Sequence, residues 1–357
     1  MAYIIRIELD WGHEGDDYVA TIPLGWITHL SGWKRAIENT FDHLKGMCVV
    51  IRDEADGRIV GGVPVYLARS WINGRRLISV PLGTLCDPLL NSDDQAEPLW
   101  RKLVETTEEL RARYLEIRTF RSRMPAPQAR HRVLDTFKHH SLSLEGDLDK
   151  IFSRIHRSSI RHPIKKAQKS GVQVESHTDI GALDRFYELY KRTRKRLGLP
   201  VVPILYFRSL WEEFCASGNI MLLSASLNGH WVTSLFLFKY KDRVSAEALG
   251  WDEDYRDSSP SSLIWWEAIR LAHSEGYKVF DLGRTDSANV GLMDYKRRWG
   301  TEVSDMPIYV IEKSAGAFSK QQAEKNGLMN TIVRNCIRFS PDPLFHAIGR
   351  LWYNHFA

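Results

Sequence analysis

Two carboxylates stand in mostly apolar surroundings in the last third of the chain, Glu247 and Asp281. Residues 245–249 alternate small and apolar types, which suits a strand on which Ser245, Glu247 and Leu249 share a face. Such a strand carboxylate either meets solvent or is held in a cleft. In a cleft, lost hydration raises its pKa towards the range of a general base near neutrality. Asp281 closes the next short apolar strand, 277–282. Ligands of α/β proteins sit at that end of a strand, although capping the following loop is the plainer role. Between the two carboxylates runs a polar turn, Asp257-Ser258-Ser259-Pro260-Ser261-Ser262. It leads into a helix with Leu263, Trp266, Ile269 and Ala272 at helical spacing, stopped at Gly276. Pro260 fits the first helical turn, where its missing N–H costs nothing. The free N–H groups and dipole of that helix start suit an anion such as a phosphate. Ser258, Ser259, Ser261 and Ser262 are then candidate ligands, against the alternative of a capped surface helix.

Further cations cluster nearby. Tyr295-Lys296-Arg297-Arg298-Trp299 joins charge to aromatic faces. It could clamp a phosphate or stack on a nucleotide, or form a basic helix with Trp299 in the core. In the basic segment 148–170, Arg154, Arg157, Arg161 and Lys165 would share a face if one helix continued past Pro163. Lys191 to Arg196 end another helical pattern, where cations are favourable for dipole reasons alone. Other chemistries lack their motifs: there is no GxSxG, HExxH, Walker A loop or GxGxxG. No histidine pairs with cysteine or carboxylate at metal spacing, and His139-His140 reads as surface.

The elements that must position these groups repeat. The chain has 357 residues, 43% hydrophobic and 26% charged, long enough for about two domains. In the first half, strands and hairpin turns (Asp56-Gly57, Asn73-Gly74) lead to a helix at 98–110 and a strand at 114–118. In the second half, a hairpin at Asn228-Gly229 leads to a strand, the helix after Ser259 and a strand at 277–282. The repeated order favours two copies of one α/β unit over chance likeness. The expected division is 1–145, 146–312, a linker at 313–325 and an amphipathic helical segment at 326–357. In that last segment Leu344, Ile348, Leu351 and Trp352 form one apolar face, which either lies on an anionic membrane or packs back on the body. The net charge of +5 favours acidic ligands but is too small to imply nucleic acid by itself, and no DNA partner is expected. Four scattered cysteines fit reduced thiols, and no stretch has the length of a membrane span. The expected location is cytoplasmic, at most peripheral to a membrane.

Several short motifs together resemble the FemAB-like branch of the GNAT acyltransferase superfamily, most of all the FemAB-related proteins of exopolysaccharide and exosortase systems that carry a BioF2-like or CelD-like acetyltransferase domain. They are Phe280-Asp281-Leu282-Gly283-Arg284, the 295–300 motif ending in Gly300, Gly57 to Pro64 with Ser79 to Leu82, Ser159-Ile160-Arg161 with Lys165 to Val172, and Tyr255-Arg256 with Ser259-Pro260. The resemblance implies tandem GNAT-like α/β domains, each a mixed, mostly antiparallel sheet flanked by helices. It implies transfer of an acyl or aminoacyl group to an amine or hydroxyl of a cell-envelope or polysaccharide precursor. The co-substrate would be an acyl-CoA or an aminoacyl-tRNA, with no permanently bound cofactor and no metal. Glu247 or Asp281 would serve the nucleophile, and backbone N–H groups of a bulged strand the oxyanion. Arg157, Arg161, Lys165, Tyr255, Arg284, Lys296 and Trp299 would bind a phosphorylated, lipid-linked or tRNA substrate. Two departures stand out. The donor turn has no glycine, and Thr84 to Asp87 replace a Gly-Gly pair. A non-catalytic scaffold for a membrane-associated glycan-assembly complex, or a tRNA-binding protein, are the alternatives.

Overall fold

A computed structural model describes residues 2–122, 124, 131–312 and 331–356. The chain forms two compact units, one of 1–136, 305–333 and 347–357, the other of 137–304 and 334–346. The expected linker at 313–325 lies outside the described residues.

The strands are β1 (Tyr3–Glu8), β2 (Leu44–Asp53), β3 (Ile59–Ser70), β4 (Gly74–Ile78), β5 (Leu89–Leu90), β6 (Tyr114–Arg118), β7 (His131–Ser143), β8 (Gln173–His177), β9 (Ile220–Leu227), β10 (His230–Tyr240), β11 (Arg243–Trp251), β12 (Val279–Asp286) and β13 (Glu302–Glu312). The α-helices are α1 (Gly12–Thr21), α2 (Ser31–Thr40), α3 (Ala96–Glu109), α4 (Leu148–Arg154), α5 (His162–Lys169), α6 (Ile180–Arg196), α7 (Ile204–Phe214), α8 (Pro260–Ser274), α9 (Val290–Arg297), α10 (Thr331–Phe339) and α11 (Asp342–Phe356).

The first unit's sheet runs β1-β2-β3-β4-β6-β13, and the second's runs β8-β9-β10-β11-β12-β7. Neighbours are antiparallel except β4 with β6 and β11 with β12, the parallel pair in each unit. α3 makes the crossover in one and α8 in the other, as a parallel pair requires. The two sheets therefore have the same order and the same strand directions, which bears out the duplication. The sixth strand of each is contributed from the other half of the sequence. Each unit closes its own core: Val49, Val63, Leu77, Leu103 and Leu115 in the first, Leu223, Leu235, Ile269, Phe280 and Trp299 in the second.

Local signals in the sequence explain much of this. Asn228 and Gly229 both adopt positive φ, 52° and 78°, so a two-residue turn joins β9 to β10 with the twist a hairpin needs. Pro163 sits in the first turn of α5 instead of breaking a longer helix. The chain instead leaves the helix at Ile155, whose backbone is extended, and then makes a π-helical turn, Arg157–Arg161. The single cationic face expected for Arg154, Arg157, Arg161 and Lys165 is thereby broken.

The cationic end of α6 is structural. Lys191 and Lys195 pair with Asp342 at 3.3 and 2.8 Å, and Arg194 donates to the Pro200 carbonyl. The terminal helices differ from their expected face: Phe345 is fully buried and Tyr353 nearly so, whereas Leu344 and Leu351 are 51% and 58% exposed. Among the described residues no helix is long and apolar enough to cross a membrane.

Candidate active site

The second unit contains a cleft of about 730 Å³. Its origin is the parallel pair. β11 and β12 are in register only from Arg243 with Val279 to Ser245 with Asp281. Beyond that point they part, and Ala246–Leu249 on one side and Leu282 on the other line the opening.

A bulge marks the same place. On β10, Phe236 faces Ala248 and Leu237 faces Ala246, so Glu247 is the extra residue of β11. A bulged residue has no partner in the ladder register, and here it stands at the wall of the cleft.

Glu247 is half-buried and accepts a 2.9 Å hydrogen bond from the Ser245 hydroxyl. Burial raises its pKa to about 7. Asp281 adds to the rise, and Ser245, Arg284 and Lys296 oppose it. The cleft reading of this carboxylate thus holds over the solvated one.

Lys296 comes from α9, packed beneath β12. It is 8% exposed, lines the cleft and donates to the carbonyls of Gly283 and Arg284, each at 3.1 Å. An ammonium has three donors, so one is left for a ligand. Burial lowers its pKa to about 8, against the opposing pull of Asp281 and Glu247.

Asp281 lies in mid-strand and is fully buried. His139 Nε2 stands 2.8 Å from its Oδ2, the Arg243 guanidinium donates to the same oxygen at 3.1 Å, and the Gly283 N–H donates to Oδ1 at 2.6 Å. Burial would raise its pKa, but these partners outweigh it and hold it at about 2. So strong an acid, with its oxygens already engaged, is a poor proton acceptor. Its geometry is that of a group that orders β12. His139 and His140 are both fully buried, not surface residues. They lie on β7, the strand that pairs with β12, a placement no local pattern encodes.

At the other end of the cleft stands the start of α8. Ser259, Pro260, Ser261, Ser262 and Arg256 line it. Ser259 has φ +54°, ψ +40°, the left-handed conformation that a glycine takes without strain. The turn therefore makes a glycine's shape without a glycine. The Ser258 hydroxyl donates to the Tyr255 carbonyl at 2.8 Å, and neither residue lines the cleft.

Of the remaining candidates, Trp299 is fully buried in the core beside Trp265, which is its structural role. Arg284 lies with its guanidinium 4.7 Å from the centre of the Phe137 ring and does not line the cleft; its carbonyl accepts from Lys296 and its charge lowers the pKa of Glu247. Arg157 and Lys165 are exposed and Arg161 half-buried. None of the three lines the cleft, although Ser159 and Pro163 of the same segment do. Residues missed in the sequence are Trp251, Arg256 and Leu292 of the lining, and His139 and Arg243 behind Asp281. Only Arg256, in the Tyr255-Arg256 motif just before the polar turn, carried a readable signal. Among the described residues no three His, Cys, Asp or Glu side chains form a metal-binding group.

Comparison with known proteins agrees with this fold. Residues 154–297, which contain the cleft, match the family described as acetyltransferase (GNAT) domain. A lipid II:glycine glycyltransferase of Staphylococcus haemolyticus (strain JCSC1435) is 38% identical over 58 residues, 15% of this chain and 14% of that protein. The matched stretch is thus a small part of that relative. The crystal structure of FemX superposes with a TM-score of 0.65 at 15% identity, covering 92% of this chain and all of the other. A tandem GNAT protein from the clavulanic acid biosynthesis pathway superposes at 0.53 with 12% identity, covering 88% of this chain and 99% of that one. Residues 154–297 thus carry the pattern of a GNAT acetyltransferase domain, and the fold of the whole chain is like those of FemX and of a tandem GNAT protein.

Proposed function

We propose that the protein transfers an acyl or aminoacyl group from an activated donor to an amine or hydroxyl of a phosphorylated or lipid-linked cell-envelope precursor. The observation that carries this reading is the juxtaposition of Glu247, on the bulge, with Lys296 in a cleft opened by the parting of β11 and β12. The donor's phosphates lie at the start of α8, and its carbonyl reaches the bulge. The acceptor nitrogen or oxygen attacks the carbonyl carbon while its proton passes to Glu247. The oxyanion is stabilised by the backbone N–H at the bulge and by the free donor of Lys296. The carbon–sulfur or carbon–oxygen bond to the donor then breaks, and the leaving thiolate or ribose oxygen takes a proton. Lys296, with its lowered pKa, is matched to supply that proton. No covalent enzyme intermediate is needed.

The choice of acceptor rests on the glycyltransferase relative, which is named for its action on lipid II. Acyl-CoA and aminoacyl-tRNA are the two donor classes. Arg157, Arg161 and Lys165 lie on the segment that borders the cleft mouth and are assigned to the phosphates of the acceptor or of tRNA.

The test is thermal-shift titration with acetyl-CoA, CoA and charged tRNA, followed by mass analysis of a UDP-linked or lipid-linked acceptor. A donor at about 100 times its Kd is expected to add roughly 2.7 kcal/mol. If no donor shifts the melting point and no acceptor gains mass, the proposal fails, and the scaffold reading takes its place.

A further inference from the structure

Trp251 ends β11 and lines the same cleft as Arg256 and Ser259–Ser262. Its indole is already stacked on one cation: the Arg196 guanidinium carbon stands 4.0 Å from the ring centroid. Arg196 is held there by an ion pair with Glu253 at 3.6 Å. The Trp251 backbone N–H donates to the Thr193 hydroxyl at 2.8 Å, which ties this ring to the end of α6. The second unit has another guanidinium on an indole, Arg185 on Trp231 at 4.6 Å, but that pair lies outside the cleft lining. The pairing at Trp251 therefore differs in being a fixed aromatic surface in the cleft that the start of α8 also lines.

We infer that Trp251, backed by Arg196, is the stacking platform for the purine of a ribonucleotide whose phosphate lies at Arg256 and the start of α8. This rests on the cleft being the donor site, and it names the part of the donor recognised. Stacking on an aromatic side chain is worth about 1–3 kcal/mol per base, and it tolerates either source of the chemistry: coenzyme A or the 3′-terminal adenosine of an RNA. The guanidinium is held on the indole by cation–π attraction and steadies the ring, and an extended hydrophobic acyl chain lacks the π-face that stacking needs.

Calorimetric titration of the full chain decides the matter. The probes are coenzyme A, an RNA minihelix ending in CCA, and base-free 4′-phosphopantetheine. In Trp251→Ala the Kd of whichever nucleotide probe binds the native protein is expected to rise about tenfold. Trp251→Phe restores it to within a few fold, and the Kd of phosphopantetheine stays unchanged. Trp251→Leu, which keeps apolar bulk but lacks an aromatic face, carries the same expectation as Ala and guards against a folding failure. The probe that responds identifies the source. Unchanged nucleotide affinity in the Ala and Leu variants overturns the platform while leaving the donor site intact. An equal loss for phosphopantetheine also overturns it. If the native protein binds neither nucleotide probe, the donor reading and the platform fall together.

Discussion

At the residue scale the decisive contrast is between two acids of opposite character one strand apart. Glu247 is held near pH 7 chiefly by burial, and Asp281 near 2 by His139, Arg243 and the Gly283 N–H. Only Glu247 can accept and return a proton at neutrality. The proposed rate should rise as pH passes about 7 and Glu247 ionises. It should fall above about 8 as Lys296 loses its proton. Glu247→Gln should lower kcat by about a hundredfold or more and remove the rising limb. Lys296→Met should remove the falling limb, and pH–rate profiles of both variants are the check. Asp281 acts on stability. Its folded pKa is depressed, so its contribution is complete above about pH 4 and is lost as pH falls towards 2. Asp281→Asn should therefore lower the melting temperature at pH 7 and have a shrinking effect as the pH approaches 2. An equal loss at both ends of that range would contradict the assignment.

At the element scale, the cleft depends on where β11 is held and how α8 begins. A Cβ on Gly250 would stand 2.3 Å from the Tyr190 nitrogen and 2.6 Å from the Leu189 carbonyl carbon, so α6 rests directly on the β11 backbone. Gly250→Ala should cost roughly 1–3 kcal/mol in chemical denaturation, because backbone rather than a flexible side chain must yield. Ser259 presents the converse case. Ser259→Gly removes the cost of its left-handed backbone and should preserve donor binding. Ser259→Val should destabilise by about 1–2 kcal/mol and weaken donor binding, since the turn would have to change shape. Equal affinity in both variants would separate the turn from the donor.

At the scale of the whole molecule, the terminal helices belong to the folded body. Ile337 and Phe345 are fully buried, and the Asn73 amide donates to the His355 carbonyl at 2.8 Å. Removing residues 331–357 should lower stability by several kcal/mol, since each large buried apolar side chain contributes about 1.5–3 kcal/mol. A truncated chain that melts with the native one would show that these helices stand apart. Exposed Phe339, Leu344 and Leu351 remain as apolar surface beside Arg338 and Arg350.

The sequence by itself determined the elements and their repetition. Alternation, helical spacing and turn chemistry are short-range signals, so the helix after Ser259, the hairpin at Asn228-Gly229 and the duplicated unit were all legible. It also singled out Glu247 and Lys296 by residue type. The tertiary structure decided what those residues are. A bulge sets Glu247 outside the ladder, and partners distant in sequence, above all His139 on β7, make Asp281 a fixed acid. Trp299 went to the core while Trp251 took the cleft wall. Burial and pairing set pKa and access, and both are properties of neighbours brought together by the fold, which no local pattern carries.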